Sequence, residues 1–71
     1  MTMRAWLTTA EAIEFTGLSR YALLELVKSR PEVAMRTGPA ESRSFYRWRT
    51  VRLAMEVHGM SEDRAVELVR V

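Results

Sequence analysis

The sequence predicts a mainly α-helical domain with one small β-hairpin: a helix-turn-helix, then a two-stranded wing, then a short C-terminal helix. Three observations predict it. A capping pattern opens at Thr8 and closes at a glycine turn, Gly17; aromatic and β-branched runs flank the Gly38-Pro39 step; and a Gly59 stop precedes a fresh start at Ser61.

Thr8 stands three residues before Glu11, so its hydroxyl can accept from the Glu11 amide while the carboxylate returns to the Thr8 amide. Behind that cap Ala12, Ile13 and Phe15 form the inward face of a first helix. Gly17 can take the positive φ at which a helix ends. Ser19 is placed to cap a second helix, in which Ala22, Leu23, Leu26 and Val27 recur at three- and four-residue spacing and line one side. Arg20, Tyr21, Leu24, Glu25 and Lys28 fall elsewhere. Two short helices joined by a glycine turn form the unit whose second helix can enter a major groove, N-terminal side chains nearest the bases. Any small helical hairpin shares this pattern, so the layout alone admits both DNA binding and plain packing.

Pro31 ends the second helix, because it has no amide hydrogen and biases the preceding residue out of the helical region. Val33–Arg36 and Ser44–Trp48 then read as strands joined by a loop over residues 37–43, a hairpin or wing. Alternation places Phe45 on one face and Tyr46 with Trp48 on the other, and leaves open which face is inward. If Trp48 is buried, its indole N–H needs a partner. Thr50 can start a third helix that runs through Val51, Ala54, Met55 and His58 to Gly59, with an apolar stripe toward the helix pair. Ser61 caps a last helix whose Ala65, Leu68 and Val69 share a face and whose Glu62, Asp63 and Glu67 point to solvent; Val66 and Val71 fit neither role neatly. This helix either completes the core or docks another protein.

Charge is distributed unevenly. The formal net charge is +2. Residues 28–52 carry Lys28, Arg30, Arg36, Arg43, Arg47, Arg49 and Arg52 against Glu32 and Glu41, a local +5, while residues 1–27 carry −1 and residues 53–71 carry −2. Ten of the eleven basic residues are Arg, whose planar fork binds phosphate or a guanine edge bidentately.

Other classes draw little support. A chain of 71 residues is expected to be one domain with little room for an enzyme. Without Cys it has no disulfide and no Cys-based zinc site, and the single histidine, His58, cannot make a His-rich metal cluster. Beside Gly59, His58 reads as a helix C-terminal residue facing the negative end of the dipole. Glu62 and Asp63 follow the Ser61 cap, where negative charge is favourable without any catalytic role. No long apolar run or leader pattern occurs, so neither a membrane span nor secretion is expected and the expected compartment is the cytoplasm. No cofactor, metal or small-molecule substrate is expected.

Trp6-Leu7-Thr8, Glu11-Ala12, Gly17-Leu18-Ser19-Arg20, a proline after the second helix, Arg36-Thr37-Gly38 and Ser44-Phe45-Tyr46-Arg47-Trp48 together resemble the winged-helix DNA-binding domain of the MerR superfamily. Within it, the chain is similar to the small free-standing phage excisionases, or recombination directionality factors, of mycobacteriophage type. The resemblance covers about residues 5–58, and its most specific parts are the T-x-x-E-A start and the G-L-S-R turn.

This resemblance implies a non-catalytic protein that binds adjacent sites in a phage attachment region, bends the double-stranded DNA and helps a tyrosine integrase run excision. It implies a DNA-binding domain over residues 1–59, which leaves residues 60–71 as the C-terminal helix read from the Ser61 cap, core-completing or protein-docking. It places Ser19, Arg20 and Tyr21 at the major groove, Lys28 on phosphate, Arg36 and Arg43 at the minor groove beside the wing, and Arg47 and Arg49 on phosphate. The chain departs from the family at Leu24 and Glu25, where an aromatic and a basic residue are frequent. Head-to-tail self-association on DNA is implied too, with Glu62, Asp63 and Glu67 as acidic partners of a neighbour's basic hairpin. The alternatives are a small prophage winged-helix transcriptional regulator and a protein-interaction module anchored by Trp, Tyr and Met side chains.

Overall fold

The computed structural model describes residues 2–37 and 45–70. In order, these form strand β1 (Trp6–Leu7), helices α1 (Thr9–Thr16) and α2 (Arg20–Ser29), a 3-10 turn (Pro31–Val33), strands β2 (Ala34–Thr37) and β3 (Phe45–Arg49), and helices α3 (Thr50–His58) and α4 (Glu62–Val69). The described residues therefore make four helices and one three-stranded antiparallel sheet, with β3 between β1 and β2.

Local chemistry sets the boundaries of the helical hairpin. Thr8 and Glu11 form the expected capping box: the Glu11 amide donates to Thr8 Oγ1 at 3.2 Å, and the Thr8 amide donates to Glu11 Oε1 at 3.0 Å. Gly17 ends α1 at φ 73°, in the left-handed region, and its amide donates to the Ile13 carbonyl. Ser19 caps α2 by accepting from the Ala22 amide at 3.1 Å. Pro31 follows the end of α2, but the chain closes a 3-10 turn there before extending, so the first hairpin strand begins at Ala34 and not at Val33. The second begins at Phe45 and runs one residue further than expected, to Arg49; Ser44 and the connecting loop lie outside the described residues.

Strand β1 is an element that the sequence pattern did not announce. It pairs Trp6 with Arg49 and Leu7 with Trp48, while β2 pairs Ala34 with Trp48, Met35 with Arg47 and Arg36 with Tyr46. Directly paired residues share a face of a sheet. Leu7, Trp48 and Ala34 therefore share the inner face, with Tyr46 and Arg36 continuing it toward the hairpin tip, while Trp6, Arg49, Arg47 and Met35 share the outer one.

The inner face meets Ala12, Leu23, Val33 and Leu53 in a single buried cluster, flanked by Ile13, Phe15, Leu18, Leu26 and Val27. Trp48, completely buried, is its largest member. Its indole N–H donates to Thr9 Oγ1 at 3.1 Å, which supplies the required partner. Among the described residues no buried side-chain polar atom lacks a hydrogen bond.

Thr50 is the first residue of α3, as expected, but its hydroxyl does not cap the helix. It donates to the Arg4 carbonyl at 2.6 Å, while its amide donates to the Ala5 carbonyl at 3.0 Å, so the N-terminal segment satisfies the start of α3. His58 does close α3, yet its Nε2 lies 2.9 Å from the Phe15 carbonyl, near the C-terminus of α1. The ring bridges two helix ends, meeting an α1 carbonyl that has no intrahelical partner. Ser61 caps α4 by accepting from the Arg64 amide at 3.3 Å. Ala65 is fully buried where α4 packs on α3, and the Met3 amide donates to the Leu68 carbonyl at 2.8 Å. The final helix is thus part of the packed body, and Val66 is exposed on its far side.

Candidate nucleic-acid interface

The 3.6-residue period of a helix divides α2 cleanly. Leu23 is buried and Ala22, Leu26 and Val27 are half-buried toward the core, while Arg20, Tyr21, Glu25 and Lys28 are exposed on the remaining arc with half-buried Leu24 among them. Tyr21 retains 74% of its accessible surface, too much for a side chain with a packing role. Arg20 and Tyr21 stand in the first turn, where the Ser19 cap fixes the helix start. Ser19 itself uses a lone pair on the Ala22 amide, which leaves its hydroxyl hydrogen available to an acceptor.

Lys28 reaches Glu25 Oε1 at 3.4 Å, an exposed pair one turn apart. Such pairs contribute about 0.2–0.5 kcal/mol in helices, and the ammonium, with three donors, can meet a phosphate while it stays beside Glu25. Arg30 lies 3.6 Å from Glu56 and so links the end of α2 to α3. Arg20, Arg36, Arg47, Arg49 and Arg52 form no ion pair among the described residues.

Strand register divides the hairpin arginines. Arg47 and Arg49 project from the outer face, two residues apart on β3, hence about 6.8 Å, whereas Arg36 is paired with Tyr46 on the other face near the end of β2. The structure therefore brings Arg47 and Arg49 together and separates Arg36 from them. Arg43 lies outside the described residues. The Arg49 guanidinium rests 4.6 Å from the centroid of the Trp6 ring, a cation–π contact that holds the guanidinium against β1.

Two contributors to this surface were not among the predicted site residues. Trp6 belongs to it because β1 pairs with β3, and Arg52 joins because a shallow groove beside the Trp6–Arg49 stack is lined by Ala5, Val51 and Arg52. A larger groove of about 560 Å³ opens at the start of α1, lined by Arg4, Trp6, Thr8, Thr37, Tyr46 and Arg47 among others. Its positive rim is partly compensated, since Arg4 pairs with Glu11.

On α4, Glu62, Asp63 and Glu67 are all exposed, together with Val66. Among the described residues no group of three His, Cys, Asp or Glu side chains could hold a metal ion, and no helix is long and apolar enough to cross a membrane. No family model, curated protein or solved structure matches the chain.

Proposed function

We propose that this chain is a sequence-specific, DNA-binding and DNA-bending architectural protein that promotes integrase-mediated prophage excision, with a winged helix-turn-helix as its binding unit. The observation that carries the DNA-binding part is the outward arc of α2: Arg20 and Tyr21 project from a first turn fixed by Ser19, on a helix docked by its opposite side. Supporting it is the pair Arg47 and Arg49 on the outer face of the hairpin, which form no ion pair among the described residues. Helix N-termini presented this way read base edges, and guanidiniums in a row suit a phosphate backbone. The excision role rests on the resemblance carried by the T-x-x-E-A and G-L-S-R motifs.

In this reading Arg20, Tyr21 and the Ser19 hydroxyl meet the major groove, Lys28, Arg47 and Arg49 meet phosphate, and Arg36 with Arg43 approaches the minor groove. The partners are double-stranded attachment-site DNA, a tyrosine integrase and neighbouring copies of the chain, in the host cytoplasm and without catalysis by this protein. Head-to-tail contact would set the basic hairpin of one copy against Glu62, Asp63 and Glu67 of the next. Such a contact does not close on itself and extends along the duplex.

A mobility-shift titration on attachment-site DNA at several salt concentrations tests the proposal. DNA binding predicts log affinity falling with log salt at about −0.9 per phosphate neutralised, and adjacent sites should fill cooperatively. A flat salt dependence would instead favour a protein-interaction module. Steep but strictly independent binding would leave a DNA-binding regulator and remove the assembly.

A further inference from the structure

One side chain on the outward arc of α2 is ill suited to a polyanion. Arg20, Leu24 and Lys28 follow one another at four-residue intervals, and Tyr21 and Glu25 form the adjacent row, so Glu25 stands within the surface that would face the duplex. Folding does not account for it. Glu25 caps no helix end, its side chain keeps 54% of its accessible surface, and among the described residues its one side-chain partner is Lys28, itself 73% exposed. An exposed pair of this kind adds little to stability.

In a major groove a carboxylate is repelled by the phosphates and by the acceptor atoms of guanine and thymine. Among the pairings favoured by groove geometry, the one that suits it is acceptance from the exocyclic amine of cytosine. The Lys28 ammonium beside it offsets the phosphate repulsion and restricts where the carboxylate can lie. We propose that Glu25 is a specificity-determining residue of α2, that it selects a cytosine in the target site through the N4 amine, and that Lys28 positions it. This rests on the DNA-binding reading above. Its consequence is selection by penalty: a thymine at the same place presents O4, an acceptor, to an acceptor.

The test enriches duplexes from a random library with the full-length chain and with Glu25→Ala, then measures affinity for the enriched site and for its C-to-T variant at each candidate cytosine. The wild-type chain should enrich a site with one fixed cytosine and bind its C-to-T variant roughly 5- to 150-fold more weakly. Glu25→Ala should bring that ratio near one and bind random duplex more tightly than wild type, with an unchanged circular dichroism spectrum. Should Glu25→Ala enrich the same site and keep the same ratio, with wild-type binding still steeply salt-dependent, the assignment of Glu25 is overturned and the DNA-binding reading stands. Absence of salt-dependent duplex binding by the wild-type chain would overturn both.

Discussion

The indole N–H of Trp48 and the hydroxyl of Thr9, 3.1 Å apart, join the central strand of the sheet to the first turn of α1. Trp48 is completely buried, so its N–H can find no solvent substitute if Thr9 is lost. Thr9→Val keeps the shape and removes the acceptor, and an unpaired buried donor costs about 1–3 kcal/mol. Chemical denaturation of Thr9→Val should show a loss in that range, and Thr9→Ser should retain most of the wild-type stability. If both variants match wild type, the hydrogen bond is not contributing.

The last helix is held by packing and by backbone pairing, and each can be tested. Ala65 has no exposed surface against α3, and Met3 donates to the Leu68 carbonyl, so the N-terminal segment and α4 secure one another. Ala65→Leu forces three more carbons into a filled site, an overpacking that costs about 1–3 kcal/mol. Thermal melts should show that loss, whereas Val66→Ala, at an exposed position, should leave the melting temperature nearly unchanged. Removal of residues 60–71 should therefore destabilise the whole chain rather than only reduce contacts between neighbours on DNA. A truncated chain that melts like wild type would return α4 to a purely docking role.

The features legible in the sequence are those fixed by a few neighbouring residues. The Thr8–Glu11 box, the Gly17 and Gly59 stops and the Ser19 and Ser61 caps each depend on contacts within one or two turns, and all five were readable. What escaped depends on distant pairing. Trp6-Leu7 is too short to carry an alternation signal and is a strand only because Arg49 and Trp48 lie beside it. Thr50 starts α3 as its position predicts, yet what its hydroxyl bonds was not legible: the acceptor is the Arg4 carbonyl, 46 residues away in sequence. The candidate surface follows the same rule. Helical period alone sorted Arg20 and Tyr21 outward, whereas the separation of Arg36 from Arg47 and Arg49 required the register of β2 on β3.

Arg20 and Lys28 occupy the same arc of α2 and should fail differently when removed. If Arg20 reads a guanine edge, Arg20→Ala should relax sequence preference at one position and cost about 1–3 kcal/mol on the preferred site. Lys28→Ala should weaken binding to every sequence and reduce the salt slope by about one phosphate contact. Because Lys28 is the ion-pair partner of Glu25, its loss also leaves that carboxylate uncompensated, so the general loss should exceed that of Lys28→Ala in a Glu25→Ala background. Affinities on specific and random duplexes for the four proteins form a double-mutant cycle that measures this coupling. Equal, small effects of Arg20→Ala and Lys28→Ala would place a different surface against the DNA.

Glu11 links the N-terminal segment to α1 through its charge, and that link should disappear in acid. The Thr8 amide, then the Arg4 guanidinium, hold its carboxyl below the usual glutamate range. Because the folded state prefers the ionised form, the resulting stability is fully present above the unfolded-state pKa and is lost as pH falls through the lower, folded-state value. Glu11→Gln isolates the charge, since glutamine can still accept from the cap amide but cannot pair with Arg4 or complement the positive end of the helix. At neutral pH wild type should melt above Glu11→Gln, and the gap should narrow and close on acidification below the folded-state pKa. The carboxylate is solvent-exposed, so added salt at neutral pH should shrink the gap as well. A difference between the two proteins that stays constant with both pH and salt would mean that the side chain acts through shape and hydrogen bonding alone.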